Sequence, residues 1–419
     1  MIAYYSITGT YFVSGLGEAT LAATGLGSYL SWLFFVINSM FYTGVLVYTA
    51  QSKGTGVEEK ARRGLAEAIL YGIPIMLAIS LAAFLFADQL VCIVSGGDQA
   101  IMALATAYFM TRVLGLAIVM IAFSLDATPR GLGYTKYSMY SAVFSVAVNI
   151  ILDSLLIYGY LGFPAYGVAG AALAAIISIA LMIPVELFYL KKVHHTPIFT
   201  RSITEFIGIT KLGLPVAGER SIFALGNTIF IGLMSRCEQV ALAAHNIGIR
   251  IESFIYMPGF AFSLAASTLV GQRIGAGDRV GAKKIGLETI KIGTLLMGLL
   301  GLVVAIASAS YYIVAPFSPT EEVGELAAIY LILAGLSEPG LALTMIGAGG
   351  IRGAGETRIP LIVNGVSFYL SRMLPSLILI PVLGVIGAWI AMFTDVYVRG
   401  FIFLLIYVKW FDKIAETII

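Results

Sequence analysis

The chain has 419 residues, of which 59% are hydrophobic and 11% are charged, and its formal net charge is +2 at pH 7. Soluble domains carry roughly 25% charged residues, so this composition excludes an ordinary soluble protein and indicates a polytopic membrane protein. The small net charge gives no sign of a nucleic-acid partner. Two cysteines and three histidines form no disulfide or metal-ligand pattern, and no metal and no cofactor beyond a coupling ion, H⁺ or Na⁺, is expected.

Apolar runs long enough to cross a bilayer as helices follow one another along the chain. One span needs about 20 residues. The sequence predicts eleven complete spans, near residues 22–50, 67–87, 101–126, 137–160, 166–190, 208–234, 241–271, 285–315, 325–350, 357–380 and 384–408. A short stub, MIAYYSITGTYFVSG, precedes them.

The positive charges orient these spans. Alternate loops and the C-terminus hold 18 of the 25 lysines and arginines, whereas the opposite loops hold Arg236 and mostly acidic residues. Because loops rich in Lys and Arg remain in the cytoplasm, the C-terminus is expected to be cytoplasmic. We expect a multi-pass protein of the plasma membrane, which is the inner membrane in a Gram-negative cell.

The two halves of the chain carry the same motifs in the same order. The matched segments are 20–27 with 241–248, 51–56 with 272–277, 130–136 with 352–358, and 167–171 with 384–388. The first two pairs share an offset of 221 and the third an offset of 222. Since both copies of the Gln-x-x-Gly-x-Gly loop fall on the Lys/Arg side, the halves have the same orientation. The sequence predicts an all-α fold of two six-helix bundles, related by an axis along the membrane normal.

The repeat also sets the expected domain boundaries. An N-terminal lobe covers residues 1–190, a cytoplasmic linker 191–207 and a C-terminal lobe 208–419. The second copy of the first helix begins about 20 residues before its matched motif, but the first copy has only Met1 to Thr8 there. The first of the twelve spans is therefore expected to be incomplete, through truncation or a misassigned start.

Several motifs together resemble the multidrug and toxic compound extrusion (MATE) family. They are YFVSGLGEATLAATGLG (11–27), NIILDSLLIYG (149–159), GVAGAALA (167–174), LPVAGERSIFALGNTIF (214–230), ALAAHNIGIRIES (241–253), MPGFAFSLAASTLVGQRIGAG (257–277) and GGIRGAGETRIP (349–360). The resemblance covers essentially the whole chain. It implies a transporter rather than an enzyme, one that exports organic cations and other amphiphiles against an inward flow of Na⁺ or H⁺ by alternating access.

Asp153 lies in the middle of the apolar run 149–159. Burying a carboxylate costs several kcal/mol or more unless it is paired, protonated or bound to an ion. Asn149 precedes it by one helical turn on the same face, and the resemblance implies that both belong to a cation site of the N-terminal lobe. A structural hydrogen-bond pair is the alternative. At an offset of 222 the two map to Ser371 and Pro375, so the second half lacks the pair.

The identity of the coupling ion is predicted from two departures from the family pattern. Gly9 stands where the first helix of the family often has an Asp, and Ala175 stands where the sixth has a Thr. Hard cations prefer several oxygen ligands, so the two missing oxygens disfavour Na⁺. A single buried carboxyl group can still carry a proton. We expect proton coupling at Asp153.

Two acids of the second half are further candidates for coupling. Glu219 follows Pro215 by one turn, and the resemblance implies that it matches a family glutamate linked to cation or substrate binding. The alternative to a role in coupling is an ion pair with Arg220, although the side chains of neighbouring helix residues point about 100° apart. Glu338 precedes Pro339. The alternative to a role in coupling is a structural one, in which backbone carbonyls that Pro339 leaves without a donor accept a hydrogen bond from Glu338 at a helix kink. Asp395 and Arg399, four apart, are expected to form a structural pair, and Arg112 is also expected to be structural.

Aromatic and methionine side chains are expected to recognise substrates, since cation–π contacts favour organic cations and methionine adapts to many shapes. The candidates around the eighth span are Tyr256, Met257, Phe260 and Phe262, with Pro258 and Gly259 as a hinge.

The sequence thus predicts a monomeric, proton-coupled antiporter in the lipid bilayer whose substrates are small cationic or amphiphilic molecules. The first alternative is a lipid-linked precursor flippase of the same superfamily, which tends to use a basic cavity; few membrane-centred cations are visible here. The second is a membrane sensor or scaffold, which the repeat and the buried acids disfavour.

Overall fold

The computed structural model describes residues 8–9, 11–95, 99–234, 237, 239–318 and 320–419, and every regular element in that part is helical. The expected incomplete first span falls largely on residues 1–7 and 10, which lie outside the described residues.

The helices of the first half are α1 (Glu18–Phe35), α2 (Asn38–Thr55), α3 (Glu58–Leu85), α4 (Ala87–Ser95), α5 (Gln99–Leu114), α6 (Leu116–Gly131), α7 (Thr135–Tyr158) and α8 (Gly167–Lys192). Those of the second half are α9 (Thr204–Met234), α10 (Gln239–Gly275), α11 (Arg279–Ala309), α12 (Glu321–Gly353), α13 (Arg358–Ser367), α14 (Leu374–Leu383), α15 (Val385–Lys409) and α16 (Phe411–Ile414). A π-helical segment, Phe368–Met373, joins α13 to α14 into one span.

Eight helices of the described chain are long and apolar enough to cross a membrane, or up to ten if each of two bent pairs counts as one span. The bent pairs are α1 with α2, at 42°, and α5 with α6, at 47°. Each of the expected spans near 22–50 and 101–126 is therefore two helices. The sixth expected span, near 208–234, is α9, which has 31 residues but carries Glu219 and Arg220 in its middle and is not among these eight helices.

Backbone angles support the internal repeat. A positive φ is strained for any residue with a side chain, so turns that need it select glycine. Three pairs of glycines at matched positions of the two halves share such a φ: Gly56 and Gly277 (75° each), Gly133 and Gly355 (84° and 90°), Gly167 and Gly384 (53° and 59°). The same turns therefore occur at the same places in both halves.

Contacts divide the chain into two compact units, residues 1–53 with 57–217 and residues 54–56 with 218–419. Residues 208–217, which the sequence assigns to the second lobe, belong to the first of these units, where Gly213 lies directly against the Met40 carbonyl. The boundaries of the two lobes and the linker remain a prediction.

Small residues bring the helices of each unit close together. A Cβ added to Gly170 of α8 would lie 2.3 Å from the Leu156 carbonyl oxygen of α7, and one added to Gly301 of α11 would lie 2.2 Å from the Gly335 carbonyl oxygen of α12. Such close approach is typical of helix packing in membranes. It buries the polar residues beside these contacts, Asp153 on α7 and Glu338 on α12.

The segment after α8, predicted as the cytoplasmic linker, is bound to α3. The Arg62 Nε donates to the Thr196 carbonyl oxygen (2.9 Å), and the fully buried Glu67 accepts hydrogen bonds from the backbone N–H groups of Glu205 and Phe206, both 2.9 Å. Glu67 thus caps the positive end of α9 from another helix, in the way a capping residue of the helix itself would.

Glu67→Ala should lower the free energy of unfolding by about 1–2 kcal/mol, because two N–H groups of α9 lose their acceptor. Glu67→Gln, which keeps one carbonyl oxygen, should lower it less. The apparent melting temperature of the purified protein in detergent measures both changes. Glu59→Ala is the matched control on the same helix, because Glu59 forms only an exposed pair with Arg63; an equal loss for Glu59 and Glu67 would contradict the capping role.

Candidate functional site

Asp153 is completely buried in the first unit and ends a short chain of hydrogen bonds. The Thr8 hydroxyl donates to the Asn149 Oδ1 (2.8 Å), and the Asn149 Nδ2 donates to the Asp153 Oδ1 (3.5 Å). The Asp153 Oδ2 has no hydrogen-bond partner in the described part of the chain. One carboxyl oxygen is thus oriented by Asn149 while the other is open to a proton.

Arg112 of α5 is the charged group that acts on Asp153. Its guanidinium is buried, lies 4.6 Å from the centre of the Phe35 ring, and is near enough to interact with the Asp153 charge. Its Nε and Nη1 have no partner among the described residues. A purely structural role, as the sequence suggested, leaves these two nitrogens unexplained, because buried donors are normally paired.

The two departures from the family pattern are both buried residues. Gly9 follows Thr8 directly in the chain, and a Cβ added to Gly9 would lie 3.8 Å from the Ala171 Cβ, so Gly9 and Ala175 add no oxygen to the interior of this unit. The Thr8 hydroxyl, which sequence reasoning missed, supplies one oxygen beside them. Asn149 turns its NH₂ group, not its carbonyl oxygen, toward Asp153.

In the second unit, Glu219 is held by two partners on other helices. The Arg352 Nη2 lies 2.6 and 2.8 Å from its two oxygens, and the Asn364 Nδ2 donates to its Oε1 at 2.6 Å. Arg220 is exposed while Glu219 is buried, so the alternative of an Arg220 pair is wrong. The positive charge of Arg352 thus neutralises the Glu219 carboxylate, and Glu219 is not an acid without a partner.

The Glu219 group continues into a buried ion network. The Arg399 Nη1 is 3.5 Å from the Asn364 Oδ1, and the Arg399 Nη2 binds the Asp395 Oδ2 at 2.6 Å, which is the expected pair within α15. The same oxygen also accepts from the Arg372 Nε at 3.0 Å. Arg372 and Arg399 are 6% and 5% exposed, so the expectation of few membrane-centred cations is wrong.

Arg372 lies on the π-helical segment, and this segment corrects the comparison of the two halves. At an offset of 222, Asn149 and Asp153 map to Ser371 and Pro375, but those two residues are only partly buried. The residues that face the interior are Arg372 and Ser376, one position later in each case. π-turns occur inside α-helices, often at functional sites, and here the turn moves the buried face by one residue.

Glu338 is fully buried on α12, and neither of its carboxyl oxygens has a partner in the described part of the chain. Glu252 of α10 is near enough to repel it. Glu252 itself accepts a hydrogen bond from the Tyr330 hydroxyl. Glu338 is therefore a buried acid without a hydrogen-bond partner in the described chain, and its role at the Pro339 turn stays a prediction.

The expected substrate residues do not share one environment. Met257 and Phe260 are 43% and 46% exposed, whereas Tyr256 and Phe262 pack against the apolar core of the second unit. α10 continues without interruption through Pro258 and Gly259. In the first half the helix is interrupted between α1 and α2, at residues 36–37. These residues map to 257–258 at the offset of 221. A hinge at Pro258 and Gly259 remains a prediction.

Arg352, the partner of Glu219, was not among the predicted site residues. Its repeat mate is Arg130, which pairs with Asp126 four residues earlier on α6, 2.9 Å between Nε and Oδ2. At the offset of 222 Asp126 becomes Ala348, so Arg352 lacks a partner on its own helix. That absence was the signal that Arg352 pairs with a distant acid. No group of three or more acidic, His or Cys side chains able to hold a metal occurs among the described residues.

Long apolar helices, repeated turns and buried acids and arginines together are features of an integral membrane protein. The sequence profile of the MatE family matches residues 1–155 and 215–378. The chain belongs to this family, the MATE multidrug efflux transporters, as its motifs indicated.

Relatives and solved structures agree with this assignment. The probable multidrug resistance protein NorM of Thermotoga maritima is 28% identical over 99% of this chain and 90% of its own length. The uncharacterized transporter YisQ of Bacillus subtilis is 25% identical over 97% and 89%. The Vibrio cholerae MATE transporter VcmN, in its bent form, shares the fold with a TM-score of 0.89 at 17% identity, over 98% of this chain and 93% of that one. The all-helical transporter fold is therefore confirmed.

Asp395→Asn should destabilise the second unit by about 3–5 kcal/mol, because Arg372 and Arg399 would lose their shared buried counter-charge. The apparent melting temperature in detergent should fall sharply, with a lower yield of monodisperse protein. Asp412→Asn is the matched control, since Asp412 pairs with Lys283 at the surface (3.0 Å), where a pair contributes at most about 1 kcal/mol. Similar shifts for the two variants would show that the network does not hold the fold.

Proposed function

We propose that this MATE transporter is a proton-coupled antiporter that exports cationic and amphiphilic small molecules by alternating access. The observation that carries the proposal is Asp153, a completely buried acid with one carboxyl oxygen unpartnered in the described chain. An acid left in this state in a membrane helix marks a proton or ion pathway more often than a structural contact.

The surroundings of Asp153 favour H⁺ over Na⁺. A sodium site needs several oxygen ligands at once. Gly9 and Ala175, at the positions where the family pattern has an Asp and a Thr, have no side-chain oxygen. A proton needs only the carboxyl group itself. The Thr8 and Asn149 side chains orient that group without competing for it.

Coupling follows because the proton and the cationic substrate are both positively charged and compete for the Asp153 carboxylate. The ionised Asp153 attracts a cationic substrate, and a proton entering from outside neutralises the acid and weakens that attraction. Each ligand thus binds one protonation state better than the other, which is the differential affinity that any coupling requires. Arg112 makes this exchange more favourable, because it stabilises the ionised form after the proton leaves.

The acids of the second unit have different parts in this scheme. Glu219 is already neutralised by Arg352 and Asn364, so a substrate cation would have to displace Arg352 to reach it. Glu338, unpartnered in the described chain, is the acid of this unit that best fits a proton carrier. Met257 and Phe260, the exposed pair of the expected substrate residues, are the better candidates for substrate contact.

A lipid-linked precursor flippase is the second candidate, and the buried arginines are the observation that favours it. A basic interior suits a pyrophosphate-like anion. Arg352, Arg372 and Arg399 are nevertheless paired with acids, which leaves Arg112 as the cation without a hydrogen-bond partner at Nε and Nη1. The balance of charge therefore supports cationic substrates. The plasma membrane, a cytoplasmic C-terminus and a monomeric state are part of the same proposal.

Asp153→Asn should abolish ethidium efflux driven by a pH gradient in proteoliposomes, because an amide has no proton to exchange. Asp153→Glu should retain part of the activity. Ser154→Ala is the matched control on α7, since its hydroxyl donates only to the nearby Ile151 carbonyl and is exposed. A parallel series under a sodium gradient tests the ion: wild-type efflux that follows ΔNa⁺ and ignores ΔpH would overturn the proposal.

Binding should show the same coupling at equilibrium. In the wild type, the affinity for ethidium should rise with pH as Asp153 loses its proton, and tetraphenylphosphonium should behave alike. In Asp153→Asn this pH dependence should flatten. Fluorescence titration of the purified protein at several pH values measures it, with a neutral amphiphile as the control whose affinity should not change with pH. A pH dependence that persists unchanged in Asp153→Asn would assign the titrating group elsewhere.

A further inference from the structure

A stripe of buried polar side chains follows one face of α7. Its members, spaced three or four residues apart, are Ser138, Ser141, Ser145, Asn149 and Asp153. All five are at most 1% exposed. Residues at this spacing lie above one another on a helix, so the stripe is continuous from the first turn of α7 to Asp153. It is about 22 Å long, since each of 15 residues adds about 1.5 Å.

The stripe is lined by polar groups of the neighbouring helices. The Ser145 hydroxyl donates to the Ser178 carbonyl oxygen of α8 at 2.6 Å, and the Ser138 hydroxyl donates to the Asp126 carbonyl oxygen of α6 at 3.2 Å. Each hydroxyl that donates in this way can still accept a hydrogen bond through its lone pairs. Neighbouring hydroxyls are about a helical turn apart, a separation that one bridging water molecule can span.

Glu186 of α8 lies at the far end of this stripe from Asp153. It is completely buried, and neither of its oxygens has a hydrogen-bond partner in the described part of the chain. The groups that face it are the Asp126–Arg130 ion pair on α6 and the Ser141 side chain on α7. Glu186 is six residues before Lys192, at the end of α8 that the charge bias assigns to the cytoplasm.

We propose that Glu186 is a second proton-binding site, which receives the coupling proton from Asp153 along the α7 stripe and releases it to the cytoplasm. The proposal rests on the proton-coupled function proposed above. The Asp153 carboxyl group gives up its proton and becomes a carboxylate; the Glu186 carboxylate takes up a proton and becomes a carboxyl group. Glu186 then loses that proton to water at the Lys191–Lys192 end.

The charged neighbours of Glu186 suit an acid that binds a proton only transiently. Arg130 attracts the carboxylate, while Asp126 repels it and at the same time occupies Arg130. The ion pair therefore offers Glu186 no exclusive partner, unlike Glu219, which Arg352 and Asn364 hold fast. An acid without an exclusive counter-charge is free to alternate between its two protonation states.

Reconstituted full-length protein tests this path with ethidium as the substrate probe. Glu186→Gln should lower ΔpH-driven efflux by at least about tenfold, as expected when an acid–base group is removed. Its affinity for ethidium at fixed pH should stay within about twofold of the wild type, because the amide leaves Asp153 intact. Glu186→Asp should restore much of the efflux, and Ser141→Ala should slow it whereas Ser154→Ala should not.

Infrared difference spectra between acidic and alkaline pH give a readout that does not depend on transport or on the yield of an active variant. A protonated carboxyl group has a C=O stretching band that a carboxamide lacks. Glu186→Gln should remove one component of this band, and Asp153→Asn should remove another.

Two outcomes would overturn the path. One is ΔpH-driven efflux by Glu186→Gln at the wild-type rate, and the other is an infrared band that this substitution leaves unchanged. Should Glu186→Gln fail to fold, equal efflux by Ser141→Ala and Ser154→Ala would overturn it in the same way. If efflux by the wild-type protein does not depend on ΔpH, both the proposed function and the path are overturned. If efflux by the wild type and by Glu186→Gln depends equally on ΔpH, the path alone is overturned.

Discussion

The cost of burying charge governs how each half of this transporter is built. A carboxylate or guanidinium removed from water must be paired, or must change its protonation state. In the second unit buried charges are paired: Glu219 binds Arg352, and Asp395 binds both Arg372 and Arg399. The first unit leaves Asp153 and Glu186 with unpartnered oxygens in the described chain. The second unit also contains Glu338, whose two oxygens have no partner in the described chain, so both units hold unpaired acids and the second adds a paired network.

Close helix packing makes both arrangements possible. Gly170 lets α7 and α8 approach each other, and Gly301 with Gly335 does the same for α11 and α12. Acids beside such contacts are shielded from lipid and water alike, so their charge is felt strongly by any group nearby. The repeated turns at Gly133 and Gly355 show that the two halves share a backbone plan. The two halves therefore have similar backbone folds and differ in the polar residues at equivalent backbone positions.

Sequence reasoning found the helices, the repeat and the isolated acid Asp153, because hydropathy, spacing and the cost of a buried charge are all local properties. It missed the bend at Gly115, where no proline marks the break between α5 and α6. It also missed the partner of Glu219, because Arg352 lies 133 residues away and pairing across helices depends on packing. The stripe on α7 was present in the spacing of its serines, but only burial distinguishes it from ordinary surface serines.

The π-turn at Phe368–Met373 has a consequence for how the halves of a duplicated gene diverge. A turn that is one residue wider rotates everything after it, so the interior receives Arg372 and Ser376 in place of the residues aligned with Asn149 and Asp153. The aligned positions differ as well, because Ser371 and Pro375 stand where the first half has Asn149 and Asp153. The second half has therefore diverged both by substitution and by a shift of one residue, and that shift turns a cation inward where the first half has an amide.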